Sequence, residues 1–103
     1  MRAALIGVVA VSAMMFVGNA QADAALATSS GCLNCHQVEV KTVGPALTAI
    51  AEKYAEQDGA ADYLAGQIKN GSNGVWGPIP MPPNAQVSDE NAKVLADFIL
   101  SLN

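Results

Sequence analysis

Apolar side chains recur at helical spacing along much of the chain after residue 23, whereas the alternating pattern of a half-buried strand is almost absent. The segment from Leu47 to Gln57 predicts an amphipathic helix, because its apolar stripe falls at i, i+3 and i+7: Leu47, Ile50 and Tyr54. Asp58-Gly59 predicts a break. Helical spacing resumes from Ala60 to Lys69 and ends at Asn70-Gly71. The small residues from Ala24 to about Ser30 are good helix formers and predict a further short helix.

The C-terminal segment carries the strongest helix signals. Ser88 predicts an N-cap, and Asp89 and Glu90 suit the positive end of the first turn. The apolar face of this segment consists of Val94, Leu95, Phe98, Ile99 and Leu102. The pattern has no internal repeat, and it predicts an all-α domain with four short helices.

Residues 71–87, between the last two predicted helices, form a long loop that contains four of the five prolines of the chain. Proline cannot continue a helix and biases its neighbours toward extended conformations. Ordered loops of this length in small domains are usually functional. This loop contains Met81, and the other methionines all lie within the first 15 residues. A stiff loop would hold Met81 in place, so a bond to its sulfur would cost little conformational entropy.

The candidate chemistry lies in the pentapeptide Cys32-Leu33-Asn34-Cys35-His36. Cys-x-x-Cys-His is the spacing for covalent c-type haem attachment, in which two thiols form thioethers and the adjacent imidazole binds iron. A helical turn places both sulfurs on one side of the chain. The thioether of Met81 is suited to the opposite axial position. Such an iron has no open site, which favours electron transfer over oxygen binding.

Two other uses of the cysteine pair stay open at this point. The N-terminal segment described below predicts export, and exported proteins meet oxidising conditions. A disulfide or a thioredoxin-like dithiol therefore also fits the spacing of Cys32 and Cys35. No βαβ pattern accompanies the pair, however, and neither chemistry explains why His36 follows directly. A zinc site is weaker, because two cysteines and the single histidine of the chain leave it one ligand short.

Residues 1–22 have the pattern of a secretory signal peptide. Arg2 precedes an apolar run from Ala3 to Val17, and Ala20-Gln21-Ala22 fits the small-x-small cleavage pattern. The apolar run is shorter than the roughly 20 residues that a membrane-spanning helix needs. We therefore expect cleavage rather than a retained membrane anchor, with residues 23–103 as the mature domain.

The expected mature domain is small and acidic. A domain of this size buries only about 60% of its unfolded surface, so a covalently held cofactor would complete its core. Nine acidic side chains stand against four lysines, which we expect to be solvated: Lys41, Lys53, Lys69 and Lys93. An acidic domain without a basic cluster is poorly suited to phosphate backbones or anionic membranes, which excludes nucleic acid as a partner.

Three segments together resemble the small class I cytochromes c of the bacterial c-551/c-552 type: Gly31 to His36, Val43 to Ala46, and Lys69 to Asn84. The resemblance covers essentially all of residues 23–103. It implies the small class I cytochrome c fold, an all-α arrangement of four short helices wrapped around one covalently bound haem c. It also implies a soluble, monomeric one-electron carrier of the periplasm, which serves transient donor and acceptor proteins in a respiratory chain. Such a carrier delivers electrons to a terminal reductase or oxidase and is not itself an enzyme.

The resemblance implies cofactor-binding roles for seven residues, of which four bind the haem or its iron directly. Cys32 and Cys35 carry the thioethers to the haem vinyl groups. His36 is the proximal ligand of the iron and Met81 the distal ligand. The mature domain would then hold one haem with both axial positions filled by protein side chains.

The remaining roles concern the surroundings of the haem. The carbonyl of Pro45 should accept a hydrogen bond from the second ring nitrogen of His36. The indole N–H of Trp76 should reach a haem propionate, and Asn84 should lie near the methionine sulfur. The chain departs from the family at Gln67, where an arginine or histidine often faces the inner propionate.

Two rival functions belong to other classes. A haem enzyme or gas sensor needs an open iron site, and a peroxidase needs a distal acid–base residue; the chain has no second histidine to supply one. A gas sensor of the cytochrome c′ type carries its haem motif near the end of a four-helix bundle, whereas this motif lies near the start of a much shorter domain. A purely structural module explains neither the cysteine motif nor the Met81 loop.

Overall fold

The computed structural model describes residues 23–103, and the predicted signal peptide lies outside the described residues. The described chain begins with a helix over residues 23–29 (α1), followed by a short 3₁₀ helix, Cys32–Asn34. Three α-helices follow: α2, Leu47–Tyr54; α3, Ala60–Asn70; and α4, Asp89–Leu100. The only β pairing within residues 23–103 is an isolated bridge between Ser72 and Met81. The prediction of an all-α domain with four short helices is therefore confirmed.

The start of α4 follows the predicted capping. The Ser88 hydroxyl accepts a hydrogen bond from the backbone N–H of Asn91 at 3.0 Å, and Asp89 and Glu90 occupy the first turn. These carboxylates favour the positive end of the helix dipole. Leu102, predicted on the apolar face, lies in the turn after the helix and still packs against the core.

The predicted end of the second helix at Gln57 is wrong, since α2 ends at Tyr54. The N–H of Gln57 donates to the Tyr54 carbonyl at 3.1 Å, so a tight turn replaces the last predicted turn of helix. Gly59 then adopts a φ of 74°, a left-handed conformation that suits glycine, and α3 begins at the next residue. The hydrophobic pattern alone does not show where this reversal begins.

The core forms where α4 packs against both α2 and α3. Three helical alanines, Ala51, Ala92 and Ala96, are fully buried in this core. The larger side chains of the core are Leu47, Ile50, Tyr54, Leu64, Ile68, Val87 and Leu95. Phe98 packs on this cluster and Ala27 of α1 belongs to it, so the first and last helices share one core.

Two ion pairs join α3 to α4. Lys93 Nζ lies 2.9 Å from Asp62 Oδ1, and Lys69 Nζ lies 3.1 Å from Asp89 Oδ1. The expectation that all four lysines are simply solvated is wrong for Lys69, whose side chain is only 28% exposed. No helix among residues 23–103 is long and apolar enough to cross a membrane.

Candidate functional site

A cavity of about 300 Å³ opens between the Cys-x-x-Cys-His turn, the helices α2 and α3, and the loop of residues 71–87, which we call the Met81 loop. Its inner wall is apolar and includes Leu47 and Ile50 of α2 and Leu64 and Ile68 of α3. All seven residues predicted for the site line this one cavity: Cys32, Cys35, His36, Pro45, Trp76, Met81 and Asn84. The fold thus brings together two groups of site residues that lie more than 30 residues apart in the sequence.

The 3₁₀ helix sets the position of the two cysteines. It starts after Gly31, which has a φ of 83°, a left-handed conformation that glycine adopts easily. The Cys32 carbonyl accepts hydrogen bonds from the N–H groups of Cys35 and His36, at 3.2 and 3.0 Å. Both cysteines are free thiols, Cys32 half-buried and Cys35 exposed. Burial raises the pKa of the Cys32 thiol. The tight turn therefore presents two unpaired sulfurs and the adjacent histidine to the cavity.

His36 is buried, and a single hydrogen bond determines its orientation. Its Nδ1 lies 2.7 Å from the carbonyl oxygen of Pro45, the bond expected from the resemblance. A carbonyl only accepts, so Nδ1 carries a proton, and in the neutral imidazole Nε2 then carries the lone pair. Within the described residues Nε2 has no hydrogen-bond partner. A buried nitrogen with a free lone pair, on a ring that lines a cavity, fits a metal ligand whose second nitrogen is held by an outer acceptor.

The face of the His36 ring is covered by Gly44. A Cβ atom at Gly44 would lie 2.7 Å from His36 Cε1 and 3.0 Å from His36 Nδ1. The first of these distances is shorter than real contacts of a Cβ atom with other heavy atoms. Two hydrogen bonds hold this segment in place, from Gly44 N to the Cys35 carbonyl at 2.8 Å and from the Thr42 hydroxyl to the same carbonyl at 2.7 Å. Sequence reasoning noted Gly44 only as part of a family segment, because a close approach between backbone and ring leaves no periodic signal.

Replacing Gly44 by alanine is expected to displace the imidazole or the segment that covers it, and to lower the free energy of unfolding of the haem-loaded protein by about 1–3 kcal/mol, the usual cost of overpacking. Denaturant unfolding measures this loss. Gly66→Ala is the matched control, because a Cβ there meets nothing within 4 Å and alanine favours the interior of α3 by roughly 0.5–1 kcal/mol. A Gly44→Ala protein as stable as the wild type would contradict the contact.

The backbone of the Met81 loop holds Met81 in place. Ser72 and Met81 exchange two backbone hydrogen bonds at 3.0 and 2.9 Å. The chains approach so closely that a Cβ at Gly71, where φ is 80°, would lie 2.5 Å from the Met81 carbonyl oxygen. Farther along the loop, the backbone N–H and the side-chain amide of Asn84 both donate to the Ile68 carbonyl, at 3.1 and 3.0 Å. The Met81 side chain is half-buried, lines the cavity and packs against the core, while the hydrogen bonds with Ser72 hold its backbone.

Trp76 lies at the mouth of the cavity with 40% of its surface exposed. Lys53 Nζ lies 5.2 Å from the centroid of its ring, within cation–π distance, and 5.8 Å from that of Tyr54. Lys53 was expected to be solvated. It directly precedes Tyr54 on α2 and therefore lies beside the apolar stripe of Leu47, Ile50 and Tyr54 that lines the cavity. Tyr54 also packs against Tyr63, with ring centroids 5.3 Å apart, and burial together with this neighbour raises the pKa of Tyr54. Val43, Val75 and Ile79 add exposed apolar surface to the cavity lining, which also includes the exposed Lys41.

The donor set of the cavity fits a c-type haem. Two thiols, one imidazole nitrogen with a free lone pair and one thioether lie around an apolar wall, and these are the donors that haem attachment and axial ligation use. Gln67 also lines the cavity, at the position where the resemblance places a residue facing a propionate. Within residues 23–103 there is no group of three or more His, Cys, Asp or Glu side chains that would hold a bare metal ion instead.

Comparisons with known proteins agree with this chemistry. The family model described as "Cytochrome c" matches residues 20–103. The chain is 62% identical over 102 residues to cytochrome c-552 of Nitrosomonas europaea, with 99% of each chain covered. It is 59% identical over 83 residues to cytochrome c-551 of Stutzerimonas stutzeri, covering 81% of this chain and 79% of the relative. The crystal structure of wild-type Nitrosomonas europaea cytochrome c552 matches with a TM-score of 0.76 and 65% identity, over 78% of this chain and 99% of that one.

Proposed function

The chain belongs to the cytochrome c family, as a small electron carrier of the c-551/c-552 type with one covalently bound haem c, and we propose that it works in the periplasm with His36 and Met81 as the axial ligands of the iron. The observation that carries this proposal is the orientation of His36. Because Pro45 holds the proton on Nδ1, the Nε2 lone pair is left for the iron, in the same cavity that Met81 lines. In this proposal Cys32 and Cys35 hold the haem through thioethers.

The bound haem supplies a one-electron Fe(III)/Fe(II) couple. The residues of the chain determine how that couple behaves. The Pro45 carbonyl keeps the His36 ring in one orientation, and the Ser72–Met81 bridge keeps the thioether in place, so neither ligand needs to move when the charge changes. The apolar wall excludes water and thereby disfavours the more charged ferric state, which raises the reduction potential.

Trp76 and Asn84 have supporting roles in the proposal. No described residue accepts a hydrogen bond from the Trp76 indole, which leaves its N–H free for a propionate at the cavity mouth. The side-chain amide of Asn84 donates a hydrogen bond to the Ile68 carbonyl. This bond fixes the Asn84 side chain in the lining of the cavity, to which Met81 also belongs.

The redox partners in this proposal dock at the cavity mouth. Val43 lines the cavity and is 52% exposed, whereas Val38, 37% exposed, and the half-buried Leu33 are near the cysteine turn in the sequence; the proposal assigns these three uncharged side chains to the contact. Redox encounters of this kind belong to the weak and transient class of protein contacts. The protein acts in this proposal as a monomer, delivers electrons to a terminal reductase or oxidase of a respiratory chain, and catalyses no reaction on a substrate.

One preparation tests the main parts of the proposal. Protein recovered from the periplasm is expected to have the mass of residues 23–103 plus one haem, and to show a c-type absorption spectrum. The ferric form should display a methionine–iron charge-transfer band, and carbon monoxide should leave the ferrous spectrum unchanged. A spectrum that shifts readily with carbon monoxide would overturn the closed His36–Met81 iron, and a mass that includes residues 1–22 would overturn the cleavage.

A further inference from the structure

Three groups of contacts hold the Met81 loop closed, the first within the loop itself and the other two between the loop and α3. The Ser72–Met81 bridge lies nearest the ligand, and the two Asn84 hydrogen bonds to the Ile68 carbonyl lie farther along the loop. The last contact is made by Lys69, the second-to-last residue of α3, whose Nζ donates to the carbonyl of Val87 at 2.7 Å. Lys69 thus connects α3, which leads into the loop, with the residue at which the loop ends.

The bond from Lys69 to the Val87 carbonyl is the important part of this contact. Val87 is 4% exposed, and within the described residues its carbonyl has no other donor. The Lys69 side chain is 28% exposed, and its bond to the carbonyl is partly shielded from water. The second partner, the Asp89 carboxylate at 3.1 Å, is 96% exposed, so water and salt screen that ion pair.

We propose that Lys69 is a positioning residue for the distal ligand: it holds the end of the Met81 loop on α3 and so keeps Met81 on the iron. This inference rests on the proposed ligation by Met81. Met81 is part of a segment fastened at both ends, so its release requires the segment to open locally. The bond between Lys69 and Val87 exists only when the loop is closed, and losing it raises the fraction of open molecules without altering the cavity itself.

The chain contains a matched control. Lys93 and Asp62 form an ion pair of similar length, 2.9 Å, which joins the same two helices. Neither residue belongs to the Met81 loop or contacts it through a hydrogen bond of the described residues. Lys93→Met therefore removes one lysine and one ion pair between α3 and α4, as Lys69→Met does, while every contact at the end of the loop is kept.

The experiment uses ferric, haem-loaded protein and imidazole as the competing ligand, titrated at about pH 8, where most of the imidazole is neutral. Loss of the methionine–iron band reports displacement of Met81. Imidazole binds only open molecules, so its apparent dissociation constant falls as the open fraction rises. Loss of one hydrogen bond from a charged donor is expected to lower this constant about tenfold in Lys69→Met. Lys93→Met and Asp89→Asn should change it less than about twofold, and Lys69→Arg should restore most of the wild-type value.

Equal imidazole constants in Lys69→Met and Lys93→Met, with a normal methionine–iron band in the wild type, would overturn the role of Lys69 while leaving the ligation intact. A wild-type protein without that band would instead overturn the Met81 ligation and the inference with it. Thermal unfolding of both variants separates a general loss of stability, expected in each, from the change in imidazole binding. If Lys69→Met does not fold, Lys69→Gln carries the same comparison, with a smaller change expected in the same direction.

Discussion

Replacing Met81 by leucine is expected to abolish the methionine–iron band and to let carbon monoxide bind the ferrous protein stoichiometrically. Leucine fills nearly the volume of methionine but provides no donor, so the distal position becomes open. The reduction potential should also fall by roughly a tenth of a volt or more, a modest part of the roughly 0.8 V that axial ligands span in haem proteins. Absorption spectra with and without carbon monoxide, together with a redox titration, measure both effects.

The fold should survive this substitution, because Met81 is fastened by backbone groups. Its two hydrogen bonds with Ser72 do not involve the side chain, and leucine has nearly the volume needed to keep the packing of this half-buried side chain against the core. Met81→His is the informative control: a second imidazole should keep carbon monoxide out while the methionine–iron band is lost and the potential falls. A Met81→Leu protein that still excludes carbon monoxide would mean that another group fills the distal position.

Removing both thioether cysteines is expected to abolish cooperative folding. A bound haem would cover the apolar wall of the cavity of about 300 Å³, and without haem this wall is left in contact with water. A domain of 81 residues has a total stability of only about 4–12 kcal/mol by the usual stability per residue. Circular dichroism of the apoprotein of Cys32→Ala/Cys35→Ala should therefore show little helix and no sharp thermal transition.

Adding free haem to this double variant is the control. It shows whether the loss of folding is caused by the missing cofactor or by the missing cysteine side chains. His36 and Met81 are still present to ligate the iron, so helical signal should return in proportion to the haem bound. An apoprotein that melts cooperatively as a helical domain would contradict the argument. That outcome would mean that the core of α2, α3 and α4 is sufficient by itself.

Much of the architecture followed from local rules. The Ser88 cap, the break at Gly59 and the helical turn of the cysteine motif depend on neighbours within four residues, and the sequence displays those neighbours directly. The end of α2 was misplaced by three residues, because Ala55 and Glu56 are compatible with either a helix or a turn. On α4 the pattern emphasised Val94 and Phe98, whereas the fully buried positions include Ala92 and Ala96. Small residues are buried by a close approach between helices, which no single helix reveals.

The chemistry of the site was already present in the chain as a spacing: two cysteines, an adjacent histidine and a single methionine in a proline-rich loop are recognisable before any folding. The tertiary structure decided how these groups are held. Gly44 lies on the His36 ring, Lys53 lies over Trp76, and Lys69 reaches the carbonyl of Val87 eighteen residues away. Such contacts depend on how helices and loops pack in three dimensions, and a glycine or a lysine in the sequence looks the same whether it meets a partner or only water.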